Sequence, residues 1–312
     1  MGDLKVFGGR AHPGLVQEIC DYLHLPVGKV ESFKFSDGEI FCQLEENVRG
    51  ADVFVVQPVC APPNENLMEL LILLDTLKRS SATRVNAVLP YYGYARQDKK
   101  DKPRVPITAK LVADLISTAG ADRILTMDLH APQIQGFFNV PVDHLFAAPV
   151  LLDAIRDMDI PDLMIVSPDA GGVERARAIG KRLDAELAIV DKRRTAPNKA
   201  RVMNVIGNVD GRNVLILDDI IDTAGTMIET VQSLIDQGAL SVRAAAIHAV
   251  LSGPALDRIQ DSAIQDVLVT NTTPLEDKIQ RCGKIRPLSV AKLLGEAILR
   301  IHENSSVSSL FV

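Results

Sequence analysis

Val214-Leu-Ile-Leu-Asp-Asp-Ile-Ile-Asp-Thr-Ala-Gly-Thr226 is the stretch on which the fold turns. The nearly unbroken apolar run Asn213–Asp218 reads as a strand buried on both faces of a parallel sheet, delivering Asp218 and Asp219 to its carboxyl end. Asp222-Thr223-Ala224-Gly225-Thr226 then opens a helix over Thr226–Gln237, where Met227, Val231, Leu234 and Ile235 recur at helical spacing and Gly238 stands as C-terminal cap. A helix N-terminus offers unpaired N–H groups and partial positive charge, so a phosphate can sit there. Gly225 permits close backbone approach, Thr223 and Thr226 supply hydroxyls, and Asp218 and Asp219 can accept hydrogen bonds from sugar hydroxyls. The competing reading is an ordinary turn whose Asp and Thr residues are caps. Two acidic residues and an apolar strand directly upstream weigh against it.

The same theme runs outward through the chain. Further strands are expected at Asp52–Gln57, Arg84–Leu89, Arg123–Asp128, Leu163–Ser167, Leu187–Asp191, Val242–His248 and Asp266–Thr270. Between them, Asn66–Lys78 places Leu67, Leu70, Leu71, Leu74 and Leu77 at helical spacing, and Val173–Leu183 and Val290–Ile301 continue the pattern. The class is α/β, with two similar doubly wound, mainly parallel-sheet domains. The expected division is residues 1–147, residues 148–289, and a C-terminal helix and tail, 290–312, which could pack back onto either domain.

The chain's 312 residues, 47% hydrophobic and 24% charged, suit two soluble domains. Its net charge of −6 argues against a nucleic-acid binder, which needs a basic surface, but not against a basic pocket for a small anion. No apolar run approaches the length of a membrane span, and the N-terminus MGDLKVFGGR has no apolar signal core. The four cysteines, Cys20, Cys42, Cys60 and Cys282, lie far apart without a zinc-ligand spacing and read as reduced thiols of a cytoplasmic protein.

Four other segments could carry chemistry. Tyr91-Tyr-Gly-Tyr-Ala-Arg-Gln-Asp-Lys-Lys-Asp-Lys102 follows a strand and sets three tyrosines, whose faces could stack on a base, beside Arg96, Lys99, Lys100 and Lys102. Asp128 and His130 would share a face if their strand ran on. Asp169, in Ser167-Pro-Asp-Ala-Gly-Gly172, precedes a helix and reads equally as a cap. Asp191-Lys-Arg-Arg-Thr-Ala-Pro-Asn-Lys-Ala-Arg201 is the main basic cluster, which alone would be a solvated loop. Gly180-Lys181 lacks the other residues of a P-loop, so nucleotide would have to bind outside the standard loops.

The Asp218–Thr226 stretch resembles the phosphoribosyl-diphosphate motif of type I phosphoribosyltransferases. From Lys34–Glu39 through Ser306–Phe311 the whole chain resembles the ribose-phosphate pyrophosphokinases, or PRPP synthetases, of the phosphate-activated class. The resemblance implies phosphoribosyltransferase-type domains and a diphosphotransferase, which moves the β,γ-diphosphoryl group of Mg-ATP to the anomeric hydroxyl of ribose 5-phosphate. The products are 5-phosphoribosyl 1-diphosphate, for nucleotide biosynthesis, and AMP. By resemblance, Phe35, Asp37, Gly38 and Glu39 of one subunit, with Arg96, Gln97, Lys99 and Asp101, bind ATP. Arg194, Asp218, Asp219, Asp222, Thr223, Ala224, Gly225 and Thr226 bind ribose 5-phosphate, Lys192 and Arg194 are catalytic, and His130 and Asp169 hold Mg2+. The resemblance further implies a homo-hexamer with an allosteric anion site at Arg49, Ser81, Arg104, Ser306, Ser308 and Phe311, although Asn47 stands where a serine is common. Two other functions stand beside it, a base-transferring phosphoribosyltransferase and a non-catalytic regulatory relative. The Arg96–Lys102 run and the basic loop weigh against the first, and the intact basic and ribose-phosphate loops against the second.

Overall fold

Apolar, β-branched runs become strands here wherever they can be covered on both faces. The computed structural model describes residues 2–193 and 202–310. Its contacts divide the chain into two units, Met1–Ala147 with Thr272–Pro274 and Ser289–Val312, and Ala148–Asn271 with Leu275–Leu288.

The first unit runs β1 (Leu4–Gly8), α1 (Pro13–Leu23), β2 (Val30–Lys34), β3 (Ile40–Leu44), β4 (Asp52–Val56), α2 (Pro63–Arg79), β5 (Arg84–Leu89), α3 (Thr108–Thr118), β6 (Arg123–Met127) and β7 (Val142–Leu145). Its sheet has the order β1-β4-β5-β6-β7, all parallel. Alternation along β4 shows how the sheet is covered. Val53 and Val55 pack in one core with Leu70, Leu73, Leu74 and Leu77 of α2 and with Val112 and Ile116 of α3. Phe54 and Val56 point to the other face and are equally buried. There α1 lies against β1, with Val16 directly over Gly8. The four α2 leucines are fully buried, each worth about 1.5–3 kcal/mol relative to exposure. Strands β2 and β3 form a separate antiparallel hairpin, Val30 opposite Leu44 and Lys34 opposite Ile40.

The second unit runs α4 (Ala148–Asp157), β8 (Leu163–Ser167), α5 (Val173–Leu183), β9 (Glu186–Arg193), β10 (Val202–Ile206), β11 (Asn213–Ile221), α6 (Gly225–Asp236), β12 (Ser241–Ala249), α7 (Ala255–Asp261), β13 (Val267–Thr270), α8 (Glu276–Arg281) and β14 (Ile285–Leu288). The order is β10-β9-β8-β11-β12-β13-β14, parallel except for β10. Strands β9 and β10 are added on one side of β8 and β11 to β14 on the other, which makes the carboxyl ends of β8 and β11 a topological switch point, the place where open α/β sheets bind ligands. Gly238, with φ +92°, ends α6 by donating its N–H to Ile235 at 3.0 Å while Ala239 donates to Leu234 at 3.1 Å.

The last helix, α9 (Ala291–His302), belongs to the first unit and packs on α1, where Tyr22 donates its hydroxyl to Glu296 at 2.9 Å. Its end is fastened to the sheet by Asp52, which accepts from Arg84 and Asn86 and meets His302 Nδ1 at 2.8 Å. Burial works against the Asp52 charge, but the bonds from Arg84, His302 and Asn86 outweigh it and hold the carboxyl below the usual range.

Two expectations shift. Strand β11 runs three residues past Asp218 because β12 keeps pairing it as far as Ile221 opposite Ala249. Strand β6 stops at Met127, and Asp128 turns to φ +38°, so Asp128 and His130 do not share a strand face.

Candidate active site

The switch point takes its shape from unequal pairing of β11. Neighbour β8 pairs it only through Ile216, whereas β12 pairs it to Ile221. Asp218 and Asp219 therefore lie on a stretch of strand open on the β8 side, short of the strand's end. The N–H of Asp219 donates to Asp218 Oδ1 at 2.8 Å. Burial, the adjoining Asp219 and the nearby charge of Asp169 push the Asp218 carboxyl up to about 7. Asp219 is itself buried and faces Arg175 of α5 at 3.9 Å. Asp169, exposed in the loop after β8, accepts the N–H of Gly172 on Oδ1 at 3.0 Å, while Ser167 Oγ donates to its carbonyl at 2.7 Å. Helix α5 has no side-chain cap, so Asp169 fastens the turn before the helix rather than capping it.

Past β11, Asp222 accepts from Ser252, and Ala224 takes φ +58° as the residue before α6. No side chain caps α6, so its first N–H groups are left to a ligand or water. Thr223, Gly225 and Thr226 are gathered there as the sequence leads one to expect. Lys192 lies on β9, opposite Met203 of β10, with its side chain outside the described residues. Arg194 falls wholly outside them.

In the first unit the Tyr91–Lys102 segment leaves β5 as a folded loop. Tyr91 and Tyr92 are buried, and Tyr92 donates to Ala109 O at 2.7 Å with its ring 5.6 Å from Phe138. Tyr94 donates to Asn64. Tyr91 and Tyr92 are therefore committed to the core and offer no stacking face, whereas Tyr94 is half-buried. Arg96, Gln97, Lys99 and Asp101 remain exposed. Thr108 donates to Gln97 Oε1 at 2.5 Å, and the N–H of Ala109 donates to Gln97 O at 3.2 Å, so this part of the loop is anchored to α3.

Phe35, Asp37, Gly38 and Glu39 form the tip of the β2–β3 hairpin, where Phe35 N donates to Glu39 O at 2.8 Å and Glu39 N to Asp37 Oδ1 at 3.1 Å. Phe35 is 48% exposed and meets Phe33 edge-on at 5.1 Å. A buried network that sequence reading missed holds the hairpin on the sheet. Glu69, from α2, accepts from Arg10 N at 3.1 Å, Arg10 Nε at 2.7 Å, Gln57 Nε2 at 2.8 Å and Ser32 of β2. The available signal was that Asn66 and Glu69 fall on the apolar stripe of α2, where a polar residue needs partners.

After β6, Asp128 is buried and Oδ2 accepts Ala147 N at 2.7 Å. His144 Nε2 accepts Leu129 N at 2.8 Å, and these bonds present His130 at the surface. Asp128 is thus a brace for the turn.

Of the residues expected at an allosteric site, Arg49 and Ser81 are joined through Gly50, whose N–H donates to Ser81 O at 3.0 Å. Ser306 and Ser308 share a 3.0 Å hydroxyl bond beyond α9, and Arg84, paired with Asp52, reaches Asn304 at 3.4 Å. Arg104 lies in the loop before α3 with φ +65°, and Phe311 is outside the described residues.

Fold and site define an α/β enzyme with a phosphoribosyl-type loop at its switch point. Residues 4–120 match the family described as the N-terminal domain of ribose phosphate pyrophosphokinase, and residues 189–312 match the phosphoribosyl synthetase-associated domain. A ribose-phosphate pyrophosphokinase of Caldanaerobacter subterraneus is 55% identical over 309 residues, 99% of this chain and 98% of that protein. One from Gloeobacter violaceus is 55% identical over 314 residues, 100% of this chain and 94% of that protein. The crystal structure of phosphoribosylpyrophosphate synthetase from Mycobacterium smegmatis superposes with a TM-score of 0.91 at 45% identity, covering 97% of this chain and all of that one. The chain belongs to the ribose-phosphate pyrophosphokinase family.

Proposed function

We propose that this chain transfers the β,γ-diphosphoryl group of ATP to the anomeric hydroxyl of ribose 5-phosphate, forming 5-phosphoribosyl 1-diphosphate and AMP. The observation that carries the reading is the uncapped N-terminus of α6 beside the carboxylates of Asp218 and Asp219. The sugar phosphate sits on the N–H groups and hydroxyls of Thr223, Gly225 and Thr226, and its ring hydroxyls donate to the two aspartates. Within the first unit, Arg96, Gln97, Lys99 and Asp101 take the nucleotide phosphates. Phe35, Asp37 and Glu39 hold the adenine of a neighbouring copy in a homo-oligomer, a role that suits a solvent-facing aromatic on a projecting hairpin.

Mg2+ is the cation the donors fit. Among the described residues no three ligating side chains converge, so His130 and Asp169 would each be joined by water and phosphate oxygens, a coordination Mg2+ favours. When bound, the cation neutralises phosphate charge as the β-phosphorus is attacked. Lys192 and Arg194 supply further positive charge to the transferring group, and catalysis is positioning and charge stabilisation without a covalent enzyme intermediate. No described helix is long and apolar enough to cross a membrane, and a cytoplasmic location fits the thiols. Arg49, Ser81, Arg104, Ser306, Ser308 and Phe311 supply an effector site for phosphate and ADP.

The test is AMP release from ATP and ribose 5-phosphate with no nucleobase added. AMP and 5-phosphoribosyl 1-diphosphate in equal amounts support the reading. No AMP from that mixture, with a nucleobase converted only when 5-phosphoribosyl 1-diphosphate is supplied, would instead make the chain a base-transferring enzyme.

A further inference from the structure

The Asp222–Thr226 loop is supported from behind by a segment that no motif singles out, the turn after β12 and helix α7. Leu251 N donates to Ile221 O at 3.0 Å, Ser252 N donates to Asp222 O at 3.1 Å, and Ser252 Oγ donates to Asp222. Arg258 of α7 completes the row, its NH1 donating to Thr223 O at 2.9 Å. The same NH1 stands 3.1 Å from where a Cβ on residue 225 would be, so the guanidinium lies against the backbone of the loop. Arg258 forms no ion pair with a carboxylate of the described residues, leaving its charge for the peptide it touches.

We propose that Arg258 is a positioning residue for sugar-phosphate binding, acting through the Thr223–Ala224 peptide. The inference rests on the reading of Asp222–Thr226 as the phosphate loop. In a trans peptide the C=O and N–H point to opposite sides. Holding Thr223 O on the α7 side therefore turns Ala224 N–H away from α7, towards the open side of the loop. The cation also polarises that peptide and makes its N–H a stronger donor to an anion. Finally, Ala224 sits at φ +58°, a conformation that the Cβ of an L-residue disfavours, and the Arg258 bond is one of the contacts that keeps it there. A side chain at 225 would press on the guanidinium and shift it by a few tenths of an ångström.

The experiment uses the full chain and calorimetric titration with ribose 5-phosphate, alongside steady-state KM values for both substrates. Arg258→Gln should weaken ribose 5-phosphate binding about tenfold or more, as expected for a lost charge-assisted bond, with KM for ATP changed less than about twofold. In Arg258→Ala, guanidinium ion at tens of millimolar (roughly) should restore part of the affinity, where sodium at equal ionic strength does not. Arg258→Lys keeps the charge but not the planar fork, and should fall between the two. Thr226→Val is the control on the loop itself. If Thr226→Val loses ribose 5-phosphate while Arg258→Gln binds it as the parent does, the role of Arg258 is overturned and the loop reading stands. If Thr226→Val also binds normally, the loop reading fails and takes the Arg258 role with it. Equal weakening of both substrates by Arg258→Gln, without guanidinium rescue, would reduce Arg258 to a general structural contact and likewise overturn the proposal.

Discussion

The N–H of Asp219 donates to the carboxylate of Asp218 at 2.8 Å, so two neighbouring acids share one short stretch of β11 where β8 no longer covers it. Burial and the adjoining Asp219 push Asp218 up to about 7 from 3.8. Between those values the folded state holds a proton that the unfolded state has lost, so stability from this group falls as pH rises. Asp218→Asn removes the titration. Urea midpoints should show the variant gaining on the parent between about pH 5 and about pH 8. An offset that is the same at both pH values contradicts this account of the pair.

Glu69 accepts four hydrogen bonds from Arg10, Ser32 and Gln57 while its side chain is 1% exposed. Glu69→Ala leaves those donors without an acceptor and should cost about 3 kcal/mol in denaturant unfolding. Because Ser32 belongs to β2, the variant should also raise KM for ATP through a misplaced hairpin. A loss below about 0.5 kcal/mol would show that water replaces the carboxylate without penalty.

Phe35 presents the opposite case, half exposed on the hairpin tip. Phe35→Ala should change the unfolding free energy by less than about 0.5 kcal/mol, since the ring covers little of the core. KM for ATP should rise several-fold with kcat nearly intact. Unchanged KM would separate the hairpin from nucleotide binding.

Under the proposed mechanism, in which its charge serves the transferring group rather than the sugar, Lys192→Ala should lose most of kcat with ribose 5-phosphate affinity little changed. Near-normal turnover would remove the lysine from the mechanism.

How much of this was legible in the sequence depended on burial. Strands β5 and β8 have the expected ends because both faces are covered and the run is apolar throughout. Nothing in the sequence marks the hairpin as a pair of strands, since Val30–Lys34 and Ile40–Leu44 are at most half-buried and interrupted by polar residues. Strand β14 carries Pro287, which an edge position tolerates but which hides the strand from a propensity reading. In the site, Asp218 through Thr226 could be read directly because strand, loop and helix start are contiguous. Arg175, Glu69 and Arg258 could not, because each reaches its partner across the fold. Arg258 is 35 residues from Thr223, and nothing local marks it as bonded to that carbonyl. Tyr91 and Tyr92 differ from the sequence expectation for a related reason, as composition shows an aromatic cluster but not that the core lies beneath it.

The central claim is transfer of a diphosphoryl group, and labelling tests it most directly. With ATP labelled at the β-phosphorus and ribose 5-phosphate as the other substrate, the account predicts label in the sugar product and unlabelled AMP. Label retained in the nucleotide, as ADP, would mean that only the γ-phosphoryl group moves and would contradict it.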